Sequence, residues 1–492
     1  MGTETLNTEG KTNGVYEKEL SDWIDQERKA IDLIGLVGKL WFERSVETIL
    51  FRKQLVDRSA SEILNLHLYS KDIIKKPVSI NDTITITQEV ANAEINHAKI
   101  DIGKLTYEWL QEKDNFESAA AFVGNKLKDF VGEGPAVEPT DVVLFGFGRI
   151  GRIAARELVA QAGKGQQLRL KAIVTRGNTD KELTKRADLL RTDSVHGPFP
   201  GTIIEDFEKK ALIINGHTVY MVESKNPEDM DYTEYGIKDA LVIDNTGVFR
   251  DDEQLGRHIK AKGVDKVLLT APAAGSVANV VYGVNQHTVD VNKEKVYSAA
   301  SCTTNAIMPV LKVINESLGI QRGHIETVHS YTNDQNLLDN FHKKYRRGRS
   351  APINMVITET GAESALKKVL PELSGKFSAN SVRVPTPNVS LAIISLTINK
   401  EVTLEEVNGI MNDAAFGGPL VEQIDYVNSN EFVSSDVIGN SSPSVFDSQA
   451  TIVGPDKKNI VLYVWYDNEY GYTRQVIRFA KHITEVKRNN YY

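Results

Sequence analysis

Apolar positions along the chain change their period near residue 140. From about Tyr16 to Gly134 they recur at helical spacing: Trp23, Ile24, Ala30, Ile31, Ile34 and Leu36 to Leu40 form one set, and Ile63, Leu64, Leu66 and Leu68 open another. Tyr107, Trp109 and Leu110 precede a charged turn at Gln111 to Asp114, and Ala119 to Phe130 reads as one more amphipathic helix. Gly132, Gly134 and Pro135 then read as a linker. Beyond it, short buried-strand runs (Val142 to Phe145, Leu168 to Val174, Ala240 to Asp244, Lys266 to Thr270, Val296 to Ser298) alternate with helical and loop segments, the signature of a doubly wound α/β sheet. Further on, Glu326 to Thr332, Val389 to Asn399, Thr451 to Val453 and Ile460 to Trp465 read as strands of a largely antiparallel sheet with helices, hence an α+β domain. The expected order is a helical N-terminal extension over 1–138, a dinucleotide-binding α/β domain over 139–301 and an α+β catalytic domain over 302–468.

The first strand runs straight into Gly146-Phe147-Gly148-Arg149-Ile150-Gly151, and Arg152 to Gln161 reads as the helix that follows. GxGxxG is weak alone but strong between a strand and a helix, where the glycines allow a tight turn and a close backbone approach to a pyrophosphate at the helix N-terminus. The second strand ends in Thr175-Arg176-Gly177, where a carboxylate for the adenosine ribose of NAD is expected. Arg176 instead suits a 2′-phosphate, so NADP, or use of both cofactors, is the expectation. The third and fourth strands open into loops at Asn245-Thr246-Gly247 and, after Thr270, Ala271-Pro272-Ala273, where a doubly wound sheet places its ligand.

The last strand leads to Ser301-Cys302-Thr303-Thr304-Asn305 and the chain's single cysteine. Ile307, Val310, Leu311, Ile314 and Leu318 fall on one helical face ending at Gly319, so a helix begins near Thr303. Unpaired N–H groups and the positive end of the helix dipole at its first turn predict a lowered thiol pKa and a nucleophilic Cys302. His329, in Glu326 to Thr332, is the natural base for that thiol. Arg383, among the hydroxyls of Val382-Arg383-Val384-Pro385-Thr386-Pro387, suits a phosphate.

Composition narrows the class without changing this picture. At 492 residues, with 41% hydrophobic and 25% charged residues and a net charge of -8, the chain reads as an ordinary globular protein. Its first residues have neither the basic flank nor the apolar run of a signal peptide, and one cysteine cannot make an internal disulfide, so a cytoplasmic setting is expected, with no membrane partner. The basic run Phe341 to Arg349 is short within an acidic chain, and no nucleic-acid partner is expected. No metal-ligand spacing is present.

The motifs GFGRIGR, SCTTN, HSYT, RVPTPN and WYDNEYGY, in this order from Asp141 to the C-terminus, resemble those of phosphorylating glyceraldehyde-3-phosphate dehydrogenases. The resemblance implies that Cys302 is the nucleophile and His329 the base. It further implies that Thr332 and Arg383 hold the substrate phosphate, that Ser301, Thr303 and Thr360 surround inorganic phosphate, and that Asn468 and Tyr472 meet the nicotinamide. With Gly146, Gly148, Arg149, Ile150, Gly151, Arg176, Thr246 and Thr270 along the dinucleotide, it implies oxidation of glyceraldehyde 3-phosphate through a cysteine thioester. A homotetramer, and a C-terminal helix over 469–492 that completes the dinucleotide domain, are also implied. Three departures from the family pattern stand out: Phe145 replaces an asparagine, Thr175-Arg176 replaces Asn-Asp with extra residues before Asp193, and Asn340-Phe341 replaces Leu-Pro. The last two remove features that select NAD. Erythrose-4-phosphate dehydrogenases share the nucleophile but tend to lack the threonine of HSYT and the TGA kept here as Thr360-Gly361-Ala362. A scaffold built on a retired enzyme would have lost one of these groups, and none is lost.

Overall fold

The computed structural model describes residues 9–74, 77–95, 97–132, 138–163, 165–486 and 488–492. These form two compact units, Met1–Val137 with Arg488–Tyr492, and Glu138–Lys487. Part of the expected linker, Gly134 and Pro135, lies outside the described residues.

In the first unit the helical periodicity yields Glu9–Arg44, Ala60–Ile74, Ile80–Asn92, Ile102–Glu112 and Ala119–Lys126. Leu33, Val37 and Leu40 pack with Ile63, Ile86, Val90, Leu105 and Phe122 in one core. A four-stranded sheet also runs through this unit, in the order Lys53–Gln54, Glu47–Leu50, Ala98–Asp101 and Asn489–Tyr491. Strands of two to four residues carry too few positions for an alternation to register. The last of them corrects an expectation: the C-terminal helix covers Tyr470–Ile483, not 469–492, and Asn489–Tyr491 pairs in parallel with Ala98–Ile100.

Asp101 ties this sheet together. Its carboxylate accepts from the backbone N–H groups of Phe51 (2.8 Å), Arg52 (2.9 Å) and Lys104 (3.0 Å), so one side chain caps a helix and holds a turn. Phe51 and Arg52 have φ of 45° and 68°, a conformation that side-chain-bearing residues avoid without such support.

In the second unit, eight strands follow the order Val296–Ser298, Val264–Leu269, Ala240–Asp244, Thr140–Phe145, Leu168–Thr175, His217–Glu223, Ala211–Ile214 and Ile203–Asp206. The first six are parallel and the last two pairings antiparallel. The chain winds one way from Thr140–Phe145 and then the other, so the C-terminal ends of Thr140–Phe145 and Ala240–Asp244 mark the switch point where such sheets bind ligands. A second sheet runs Val356–Thr358, Phe377–Val384, Ile320–Ser330, Ser390–Ile398, Asn459–Tyr466, Ser444–Asp447 and Ile424–Val427, mostly antiparallel. The helix Cys302–Leu318 packs against it through Ile307, Val310, Leu311 and Ile314, and stops at Gly319 (φ 70°). The chain is thus a mixed α/β protein with a Rossmann-type domain, a catalytic sheet domain and an N-terminal helical region.

Asp101→Ala leaves three backbone donors unanswered and two strained residues unsupported. The expected cost is about 2–4 kcal/mol within the first unit. Amide hydrogen exchange reads it: protection along Glu47–Leu50 and Ala98–Asp101 falls with Asp101→Ala and falls less with Asp101→Asn. Unchanged protection would show that the turn holds without the carboxylate.

Candidate active site

Strand register builds the centre of the site. Ile320–Ser330 and Phe377–Val384 are parallel neighbours, and their pairing sets His329 directly beside Arg383. The helix entered at Cys302 brings its thiol to the same place, with Sγ 3.6 Å from His329 Nε2. Ser301 is the N-cap, its hydroxyl accepting from the Thr304 N–H at 3.0 Å. On the far side of the ring, the Ser330 carbonyl lies 2.8 Å from His329 Nδ1 and accepts from Arg383 Nη1 at 2.9 Å. With the imidazole proton on Nδ1, the two lone pairs of that carbonyl receive both N–H groups and the Nε2 lone pair faces the sulfur. Arg383 Nη1 also lies 3.0 Å from Nδ1.

Burial decides the charge states. His329 is held far below the usual imidazole range, to about 3, by burial first and by the adjoining Arg383 charge second. Burial also pushes the Cys302 thiol up, although Arg383 and the hydroxyl and N–H of Thr303 pull the other way. This differs from the lowered pKa expected of a helix N-terminus: in the enzyme without ligands, desolvation outweighs the dipole. The resting pair is a thiol facing a neutral imidazole.

A cavity of about 690 Å³ opens over this centre, walled by Ser301, Cys302, His329, Thr332 and Arg383 together with Arg149, Ile150, Thr246, Thr270, Asn468 and Tyr472. Asn468 accepts at Oδ1 from the hydroxyls of Ser330 and Ser390, both at 2.9 Å, which leaves its amide NH₂ to meet a ligand. Tyr472 donates to the Ala300 carbonyl at 2.9 Å, fixing its ring in the wall. A smaller cavity of about 340 Å³ is walled by Gly146, Arg176 and, in common with the first, Thr246. Gly148 is the N-cap of Arg149–Ala160, and a Cβ on Gly151 would lie 2.4 Å from the Gly146 carbonyl oxygen, so only glycine lets helix and turn approach this closely. Glycine turn, helix N-terminus and paired cavities fit a dinucleotide.

Two expected residues are absent from the cavity wall. Thr303 is buried with its hydroxyl 3.0 Å from that of Tyr466, and Thr360 accepts from the Ala362 N–H at 3.3 Å; neither walls the cavity. Other wall residues were missed. Tyr331, Asn333 and Asp334 flank Thr332, and their adjacency to it was the available signal. Arg186 and Lys225 wall the smaller cavity; Lys225 follows His217–Glu223, a strand the periodicity did not expose. Among the described residues, no cluster of three or more His, Cys, Asp or Glu could hold a metal ion, and no helix is long and apolar enough to cross a membrane.

Comparison with known proteins agrees with this geometry. The glyceraldehyde 3-phosphate dehydrogenase NAD binding domain matches residues 140–252, and the C-terminal domain of the same family matches residues 301–468. A glyceraldehyde-3-phosphate dehydrogenase-like protein of Pseudomonas aeruginosa is 48% identical over 458 residues, covering 92% of this chain and 98% of that protein. That share exceeds what Glu138–Lys487 supplies, so it takes in part of the first unit. Glyceraldehyde-3-phosphate dehydrogenase 2 of Nostoc sp. is 40% identical over 345 residues (70% of this chain, 98% of that protein). Glyceraldehyde-3-phosphate dehydrogenase 1 of Bacillus subtilis is 38% identical over 340 residues (69% and 97%). The chain belongs to the glyceraldehyde-3-phosphate dehydrogenase family and is an NAD(P)-dependent oxidoreductase.

Proposed function

We propose that the chain is a phosphorylating glyceraldehyde-3-phosphate dehydrogenase that oxidises D-glyceraldehyde 3-phosphate with NAD(P) and inorganic phosphate to 1,3-bisphosphoglycerate. The observation that carries this is the meeting of Cys302, His329, Arg383 and Thr332 at one cavity wall. Cys302 Sγ adds to the aldehyde carbon while His329 Nε2 takes the thiol proton and passes it to the new oxygen, giving a hemithioacetal. Arg383 and Thr332 hold the substrate's own phosphate and so fix the carbonyl over the sulfur. A bound nicotinamide would supply the acceptor for a hydride from the substrate. His329 takes the hydroxyl proton as that hydride leaves, and the thioester that remains on Cys302 is cleaved by inorganic phosphate, with sulfur as leaving group. Of the three residues expected around inorganic phosphate, Ser301 is the one at the wall. Asn468 and Tyr472 orient the nicotinamide.

NADP, or both cofactors, is the preferred reading, because Arg176 stands where NAD-selective sites carry a carboxylate. A homo-oligomer, a tetramer as the resemblance implies, is favoured by the apolar surface of 337–357: Leu337, Leu338, Phe341 (89% exposed), Tyr345 (90%), Ile353 and Met355 all face solvent in the single chain.

Steady-state assays test the reaction. Turnover requires inorganic phosphate, Cys302→Ser loses roughly 10³-fold or more, and Arg176→Asp moves the NADP-to-NAD ratio of kcat/KM about a hundredfold toward NAD. Phosphate-independent release of a free acid would sink the phosphorylating reading, and a preference for erythrose 4-phosphate the substrate reading. Thiol alkylation tests the charge states. A thiol pKa raised above its ordinary value of 9.0 leaves the thiolate fraction rising tenfold per pH unit through neutrality, so alkylation of Cys302 in the ligand-free enzyme accelerates continuously from pH 6 to 9. A plateau near pH 6–7 would mean a resting thiolate–imidazolium pair. In light scattering at micromolar concentration the expected mass is that of four chains, and a monomer would remove the assembly reading.

A further inference from the structure

The smaller cavity, at the end of the groove away from Cys302, has three cations and no carboxylate in its wall: Arg176, Arg186 and Lys225. They come from three different elements. Arg176 follows the strand Leu168–Thr175, Lys225 follows His217–Glu223, and Arg186 sits on the helix Asp180–Arg191. The two strands are parallel with Thr175 paired to Glu223, and the Ser224 N–H extends the ladder to the Thr175 carbonyl at 2.9 Å. Arg176 and Lys225 therefore leave adjacent strand ends side by side.

Their charges are poorly answered within the protein. Arg176 and Lys225 make no ion pair with the described residues, and the nearest carboxylate to Arg186 is Glu182, 4.0 Å away. Glu182 is already committed, accepting from the Thr179 N–H at 3.0 Å and its hydroxyl at 2.8 Å to cap the helix. Three cations around one concavity repel one another, and a dianion between them relieves that repulsion. The place identifies the anion. In a doubly wound dinucleotide fold, the end of the second strand meets the adenosine ribose, so the group that fits here is a monoester on the ribose 2′ oxygen.

We propose that Arg186 and Lys225 act with Arg176 as a three-point clamp on the 2′-phosphate of NADP, making both specificity-determining residues of the cofactor site. The clamp rests on the reading of this groove as an NAD(P) site that takes NADP. Arg186 contributes a planar fork from the half-buried face of its helix, and Lys225 a flexible point charge from the exposed rim. Neither residue touches the nicotinamide end, so their effect is confined to the cofactor's adenosine half.

Titration calorimetry on the full chain separates the parts of this argument, with adenosine 2′,5′-bisphosphate and 5′-AMP as probes. Wild type is expected to bind the bisphosphate at least about tenfold more tightly than 5′-AMP. Arg186→Met and Lys225→Met, which keep an apolar stem, each reduce that preference severalfold to about tenfold and leave the affinity for 5′-AMP unchanged. If the preference survives both substitutions and is lost only in Arg176→Met, the clamp is wrong while the NADP reading stands. If wild type does not distinguish the two probes, the NADP reading fails and the clamp with it. Equal losses for both probes would assign Arg186 and Lys225 to the shape of the adenosine pocket and overturn a phosphate role.

Discussion

The chemistry of this chain depends on an arginine placed beside a histidine with no carboxylate between them. Parallel register sets Arg383 next to His329, and both reach the one Ser330 carbonyl. A carboxylate there would draw a proton onto the imidazole and keep it, as in a charge-stabilised pair. The guanidinium does the opposite. It adds to burial in holding His329 neutral, with Nε2 3.6 Å from the Cys302 sulfur. The same cation lowers the cost of a thiolate, and it is the group best suited to a phosphate monoester on the substrate. The one guanidinium therefore acts on both groups, against an imidazolium at His329 and in favour of a thiolate at Cys302.

Much of this was legible from the chain alone, and for reasons that differ by residue. Cys302 stands out because a helix face begins right after it and hydroxyl residues surround it, so local sequence carries the placement. The glycine turn was legible because backbone crowding leaves no other choice at Gly151. The sign of the thiol shift was not legible. A helix N-terminus is a local feature, whereas the burial that outweighs it comes from strands and loops distant in sequence. That Thr303 and Thr360 lie outside the cavity wall was not legible for a related reason: a hydroxyl's partner depends on what tertiary packing brings near, and the Tyr466 hydroxyl lies 3.0 Å from that of Thr303. The short strands of the first unit escaped because two to four residues carry too little alternation, and the last of them, Asn489–Tyr491, pairs across more than 380 residues of chain, which no window of local periodicity samples.

That distant pairing gives the N-terminal region its character. Its sheet is completed by the last residues of the chain, and Arg488, buried there, donates to Glu47 at 2.9 Å and stacks over Trp41 at 4.8 Å. A unit whose sheet takes in residues 489–491 cannot finish folding until those residues have been synthesised, long after its helices. The first turns of the helix Glu9–Arg44, by contrast, expose Tyr16, Leu20, Trp23 and Ile24 together. Isolated helical segments of that length are marginal in water, so those turns depend on propagation from the packed half beyond Ala30.

The substitution of Phe145 for the family's asparagine finds its reason at the switch point. An asparagine side chain there would spend its polar groups on the cofactor loop, whereas the Phe145 ring packs edge-on to His258 (4.7 Å) and against Phe249. His258 Nε2 in turn holds Asp244 Oδ2 at 3.0 Å, and Asp244 Oδ1 accepts from both the N–H and the hydroxyl of Thr246 at 2.7 Å. Thr246 is the residue that both cavities share. The hydrogen bond that the asparagine would have made is thus replaced by a packed ring supporting a buried histidine–aspartate pair, and the loop is fixed from beneath.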